Sequence, residues 1–192
     1  MRSRRFIFSE IRAKLGSIIN KNMSKILSLS IGSVKSKAIF FAVGLAICLV
    51  LPAFFHNQWI TGPLINATLL LATVLVGPTE AVLLGLMPST MAFLGGLLPL
   101  PLAPMLPFIM IGNAIMVMTF HTVRPKNYWG AVGLAALLKF AFMHGSVVFL
   151  LSRMMDGNLT AKLAVMMSWP QLFTAIIGGT IAYGFLKPLK KI

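Results

Sequence analysis

The residues most able to do chemistry in this chain are polar side chains that stand within long apolar segments. Lys139 is the clearest example, because it lies about ten residues into such a segment, or roughly 15 Å at the rise of an α-helix. A charged amine in an apolar environment is costly unless it faces a cavity or a counter-charge. Lys139 is therefore a candidate contact for an anionic substrate. The alternatives are pairing with Glu80 or main-chain carbonyls, and extension of the amine to the end of the segment.

Further polar and aromatic residues near the ends of other apolar segments could share a pocket with Lys139. Amides and imidazoles exchange hydrogen bonds, and an indole can stack on a flat ring. The candidate substrate-binding residues are Lys139, His144, Asn66, Trp59, Gln58, Trp169 and Gln171. Structural hydrogen bonding of His144 and anchoring by the two tryptophans are the alternatives. Asn113 is expected to lie deeper and to form hydrogen bonds between helices.

The sequence offers little for catalysis or metal binding. Its three carboxylates, Glu10, Glu80 and Asp156, are too few for paired-acid chemistry, and its three histidines are spread over different segments. Cys48 has no second cysteine with which to pair. The sequence contains no phosphate-binding glycine loop and no Ser-His-Asp order. We therefore expect no enzymatic activity, no cofactor and no metal.

The composition indicates that the elements holding these residues are membrane-spanning helices. Hydrophobic residues make up 58% of the 192 residues and charged residues 10%, against roughly a quarter charged in soluble domains. A helix needs about 20 apolar residues to cross a bilayer. The sequence predicts an all-α, polytopic membrane protein. The six predicted spans are 38–55, 61–76, 79–98, 102–120, 129–151 and 163–186.

The distribution of basic residues predicts the orientation. Nine of the 17 lysines and arginines precede the first span, and Arg153 and Lys162 lie in one connection on the opposite side. With six spans, the side of the leader also holds Arg124, Lys126, Lys187, Lys190 and Lys191. Because cytoplasmic loops are enriched in Lys and Arg, both termini are expected in the cytoplasm of a bacterial-type inner (plasma) membrane.

Residues 1–37 form a predicted segment separate from the transmembrane domain of residues 38–192. Apolar residues at helical spacing among its basic residues favour a helix lying on anionic lipid, and a disordered tail is the alternative. Met23 is an alternative initiator methionine. Membrane orientation accounts for the net charge of +14 better than nucleic-acid binding does, and a cleaved signal peptide is not expected.

Two further patterns concern the helices themselves. Ala38, Ala42 and Ala46 recur at every fourth position, which predicts a stripe where another helix can approach closely, for internal packing or for docking of a partner. The glycine- and proline-rich run 95–101 cannot form one helix and predicts a turn or a re-entrant stretch.

Together these features resemble the substrate-binding membrane subunit, or S component, of energy-coupling factor transporters. The resemblance rests on six spans in about 190 residues, the basic N-terminus and the alanine stripe. Four stretches also look like an uncharacterised branch of that family: 62–66, 102–108 with 112–113, 139–140 and 170–175. No stretch matches the patterns of members specific for riboflavin, thiamine, biotin, folate or metals. The long segment 1–37 departs from the family pattern.

The resemblance implies partners as well as an activity. In that family the small-residue stripe meets a coupling transmembrane subunit, and two cytoplasmic ATPases drive toppling of the S component to release its substrate inward. The expected function is therefore binding of a small nutrient such as a vitamin for uptake. A membrane scaffold without a small-molecule ligand is the alternative, and a membrane-embedded enzyme is a more distant one.

Overall fold

A computed structural model of the protein describes residues 14, 33–55, 57–96, 100–154 and 167–192. Within these ranges the chain forms α-helices and one 3-10 helix, without a strand, so the predicted all-helical fold is confirmed for them. The helices are α1 (Val34–Phe54), α2 (Gln58–Leu75), α3 (Pro78–Leu94), α4 (Leu106–Val123), α5 (Tyr128–Met154) and α6 (Trp169–Leu186), and the 3-10 helix spans Leu100–Met105. Apart from 14 and 33–37, the basic segment 1–37 lies outside the described residues.

The helix boundaries follow from caps and prolines in the sequence. The side chain of Ser33 caps α1 by accepting from the Ser36 N–H, and that of Asn57 caps α2 by accepting from the Trp59 N–H. α3 starts at Pro78, whose fixed φ suits a first helical turn.

The predicted break in the run 95–101 is present in the part that is described, and residues 97–99 lie outside it. α3 ends at Leu94, and Gly96 follows with φ of 72°, a left-handed conformation that favours glycine. The 3-10 helix then delays the start of α4 to Leu106, four residues later than the predicted span. The predicted sixth span began at 163, whereas α6 begins at Trp169 and 163–166 lie outside the described residues.

Among the described residues, four helical stretches are long and apolar enough to cross a membrane: Val34–Phe54, Gln58–Leu75, Ala103–Val123 and Tyr128–Phe149. Their length and composition indicate a membrane protein. α3, with 17 residues, and α6, with 18, do not join this group.

α2 is the central helix of the bundle. It packs against α1, α3, α4 and α6, and its closest neighbour is α6. The remaining helices are adjacent in the order α1, α3, α4, α5, α6. The core between them is closed by large side chains that are almost fully buried, among them Leu69, Met116 and Phe120. α1 is the most peripheral helix, because only Gly44, Cys48 and Pro52 are buried along it.

The contact between α2 and α6 depends on a glycine. A Cβ atom at Gly178 would lie 2.7 Å from Asn66 Cβ and 2.8 Å from the carbonyl oxygen of Pro63. Real Cβ atoms essentially never approach other atoms so closely, so the two helices can meet here only at a residue without a side chain.

Aromatic residues join the start of α5 to the C-terminal half of α6. The Tyr128 hydroxyl donates to the carbonyl oxygen of Gly179 at 2.8 Å. Its ring meets Phe120 edge to face at 5.4 Å and lies 5.2 Å from the Tyr183 ring. Lys187 Nζ lies 5.6 Å from the centre of the Tyr183 ring, a cation-π contact.

Candidate binding site

The site is built around Lys139, which lies near the middle of α5 and is 3% exposed. Its Nζ donates to Asn66 Oδ1 on α2 at 2.7 Å and to Asn113 Oδ1 on α4 at 2.8 Å. Both asparagines are buried as well. The amine therefore stays inside the bundle, which excludes the alternative that it extends to the helix end.

The two amide groups are held in the orientation that Lys139 requires. Asn113 Nδ2 donates to the carbonyl oxygen of Gly85 on α3 at 2.8 Å, and Asn66 Nδ2 donates to Thr174 Oγ1 on α6 at 3.4 Å. Because each amide nitrogen has an acceptor, each amide oxygen is left to face the amine. Side chains and one carbonyl from α2, α3, α4, α5 and α6 thus meet in one polar cluster.

The cluster lies at the inner end of a cavity of about 200 Å³. The cavity reaches from Lys139 and the two asparagines to Phe55, an exposed residue just after α1. Most of its wall is apolar, with further polar groups from Gln58, Thr61, Ser89 and Gln171. The apolar lining residues are Pro52, Phe55, Ile65, Pro88, Ala92, Ile109 and Met167.

All six helices contribute to this cavity, five of them with residues toward the same end of the bundle and α5 with its middle. The lining residues come from the C-terminal parts of α1 and α3, the N-terminal parts of α2, α4 and α6, and the middle of α5. This arrangement follows from helices that alternate in direction along the chain.

Of the seven residues predicted from the sequence, four line the cavity: Lys139, Asn66, Gln58 and Gln171. Trp59, 56% exposed, and Trp169, 61% exposed, are not among the lining residues. His144 is also exposed and lies outside the lining.

Trp169 and His144 instead belong to an outer aromatic stack. The ring of Phe140 lies between them, with ring centroids 5.2 Å from Trp169 and 5.8 Å from His144. His144 is five residues from Lys139 on α5, which places it about 140° around the helix at 100° per residue. The two side chains therefore face different surroundings.

Sequence reasoning did not place Asn113, Ser89 or Thr61 in the cavity. The interhelical hydrogen bonds expected of Asn113 are present, but they hold the amine that lines the cavity. Ser89 follows Pro88 in α3, and a proline inside a predicted membrane helix is a signal that the helix borders protein or a cavity. Thr61 gives no signal beyond its position near Gln58.

Lys139 contacts neutral amide oxygens and makes no ion pair with Glu80. Glu80 lies in the first turn of α3, nine residues before Ser89, and thus about 13 Å away along the helix axis. Within the described ranges, no group of three or more His, Cys, Asp or Glu side chains is arranged to hold a metal ion. The cavity can therefore offer a ligand one buried amine, several neutral hydrogen-bonding groups and apolar walls.

The alanine stripe lies on the outer surface of α1. Ala38, Ala42 and Ala46 are all exposed, and α1 faces the bundle through Gly44, Cys48 and Pro52. Because the three alanines are exposed, they do not form a packing surface against the other described helices, which was one of the two interpretations of the stripe.

Comparison with known proteins finds no protein-family model, no curated protein and no solved structure that matches this chain.

Proposed function

We propose that this chain is the substrate-binding membrane subunit of an uptake transporter of the energy-coupling factor type, and that it binds a small nutrient. The observation that carries the proposal is the position of Lys139. Its amine is buried and held by two oriented amides, yet it borders a cavity that reaches the end of the bundle. A buried cation that borders a cavity is typical of a site for a ligand or an ion in membrane proteins.

In this proposal α1 to α6 are the six spans, and both termini lie in the cytoplasm. The positive-inside rule supports this orientation, since Arg124, Lys126 and the lysines after α6 are on the side of the termini. The cavity is then on the external side, where the C-terminal end of α1 meets the N-terminal end of α2. A subunit for uptake needs its binding site on that side of the plasma membrane.

Transport also needs an energy source and a route to the cytoplasm. The sequence contains no nucleotide-binding motif, so the proposal assigns both to a coupling transmembrane subunit and ATPase subunits in trans. The exposed stripe of Ala38, Ala42 and Ala46 is the proposed docking face for the coupling subunit. Small side chains allow two membrane helices to approach closely.

Native mass spectrometry of protein extracted in mild detergent tests the proposal. We expect a retained molecule of a few hundred daltons in the wild-type protein and its loss from Lys139→Ala, with far less effect on the yield of folded protein. Retention of the same molecule by Lys139→Ala would refute the assignment of the site. Co-purified proteins without any small molecule would instead favour the membrane scaffold.

A further inference from the structure

The chemistry of the cavity narrows the class of ligand, because none of the described residues that line it can balance a positive charge on Lys139. Its two acceptors, Asn66 and Asn113, are neutral amides. None of the described residues that line the cavity is a carboxylate. An anion bound beside the amine favours the amine's charged form, and the charged amine favours the anion in return.

The charged groups of the cavity also limit how many negative charges the anion can carry. Lys139 is the single cationic residue among those that line the described cavity. A phosphate ester or a dicarboxylate would therefore bring an additional negative charge into a mostly apolar space without a cation to meet it. A single carboxylate matches the one ammonium group and can accept a charge-assisted hydrogen bond from it.

The other residues that line the cavity indicate the chemistry of the rest of the ligand. Ile65, Ile109, Pro88 and Met167 present apolar surface, which suits an aliphatic or ring-shaped body. Two polar lining groups are weakly engaged: Ser89 Oγ donates to the Leu86 carbonyl oxygen at 3.5 Å, and Gln171 Nε2 contacts the Met167 sulfur at 4.0 Å. Thioether sulfur is a weak acceptor, so both groups have hydrogen-bonding capacity for a polar substituent.

The size of the cavity limits the part of a ligand that it can enclose. Its volume of about 200 Å³ is below the roughly 300–1,000 Å³ of sites for drug-sized ligands. A dinucleotide or a large macrocyclic cofactor is too large to be enclosed in it.

We propose that the cavity binds a small organic monocarboxylate, with its carboxylate on Lys139 Nζ and its apolar or ring-shaped body along the wall toward Phe55. This inference rests on the proposed function, since it names the substrate class of the same site. In it, Asn66 and Asn113 are positioning residues that fix the amine beside the cavity.

The variant Asn66→Asp tests the charge argument without removing the amine. Asn66 Oδ1 lies 2.7 Å from Lys139 Nζ, so an aspartate at this position places a carboxylate beside the amine. The internal pair satisfies the charge, and we expect the variant to fold and to lose the retained molecule. Asn127→Asp is the matched control, because it makes the same substitution at the N-terminus of α5, at the other end of the bundle, where Asn127 Oδ1 accepts from the Gly130 N–H.

Lys139→Met provides the complementary change, since it keeps a long side chain and removes the charge. Lys187→Met, a substitution at an exposed lysine near Tyr183, is its control. For each protein, the retained molecule is released and tested for a carboxyl group by esterification and mass spectrometry. We expect one carboxyl group per molecule, retention in both controls, and loss in Asn66→Asp and Lys139→Met.

Defined probes complete the experiment. Benzoate, benzamide, benzylamine and phenylphosphonate share a ring and differ in charge, and each is titrated into protein from which the retained molecule has been removed. We expect benzoate to bind the wild type at least about tenfold more tightly than benzamide, and this ratio to fall to about one in Lys139→Met.

The outcomes separate this inference from the proposed function. A retained molecule that is neutral, cationic or doubly anionic overturns the monocarboxylate assignment and leaves the transport proposal standing. A retained carboxylate that Asn66→Asp still holds also overturns the assignment. If no molecule is retained and no probe binds, both proposals fail.

Discussion

Asn113 donates its side-chain N–H to the carbonyl oxygen of Gly85 at 2.8 Å, a hydrogen bond that joins α4 to α3 inside the bundle. The bond has a second effect, because it fixes which end of the amide faces Lys139. A structural contact between two helices thereby sets the geometry of the amine at the cavity.

Asn113→Leu is expected to destabilise the protein by about 1–3 kcal/mol. The leucine leaves Lys139 with one amide acceptor and removes the donor to Gly85, and both are buried. Thermal unfolding in detergent measures the effect. Thr180→Val is the control, since its exposed hydroxyl bonds only within its own helix, to Ile176. Equal melting temperatures for Asn113→Leu and this control would contradict the prediction.

Gly178→Ala is expected to lower the free energy of unfolding by about 1–3 kcal/mol, because the new methyl group would collide with Asn66 and with the main chain of α2. Gly184→Ala on the same helix has no atom within 4 Å of the added Cβ. That control should gain about 0.5–1 kcal/mol from reduced backbone freedom in the unfolded state. Unfolding curves of the two variants should therefore shift in opposite directions, and shifts of the same sign would count against the close packing.

Tyr128→Phe is expected to cost about 0.5–1.5 kcal/mol, since it removes the hydrogen bond to Gly179 and keeps the ring contacts with Phe120 and Tyr183. Tyr183→Phe is the control, because the Tyr183 hydroxyl has no hydrogen bond to any described residue that the structure records. Denaturant unfolding of the two proteins compares them directly. A larger loss in Tyr183→Phe would show that the Tyr128 hydroxyl is not the main polar link at this end.

If the proposed function is right, Ala42→Trp should leave ligand retention unchanged and prevent association with a coexpressed coupling transmembrane subunit. Ala42 is exposed on the outer face of α1, where a bulky indole blocks close approach of another helix. Val43→Trp, also on an exposed position but about 100° around the helix, is the control. Co-purification measures the association. If the complex survives Ala42→Trp, the docking role of the stripe is wrong.

The sequence predicted the helices well because long apolar runs and proline or glycine interruptions determine where a membrane helix can begin and end. It also identified Lys139 and Asn66, since a charged or amide side chain in such a run needs a partner. These inferences use only local sequence and the cost of burying polar groups. Gln58 and Gln171, predicted from their positions near the ends of apolar segments, line the cavity as well.

The position of Asn113 could not be obtained in the same way. The span predicted from residue 102 places Asn113 in the twelfth position, whereas α4 starts at Leu106 and Asn113 is in its eighth. The 3-10 helix before α4 makes the difference, and its length depends on packing rather than on hydropathy. Trp169 was difficult for another reason, because its contact with Phe140 joins α6 to α5 and depends on how those two helices pack.

The packed layer beneath Lys139 restricts how a solute could move through the protein. Leu69, Met116 and Phe120 fill the interior on the side away from the cavity, each with almost no accessible surface. Among the described residues, these buried side chains separate the amine from the opposite end of the bundle, so a solute bound at Lys139 has no direct route past them. Crossing the bilayer would then require the whole bundle to tip over, or its helices to part.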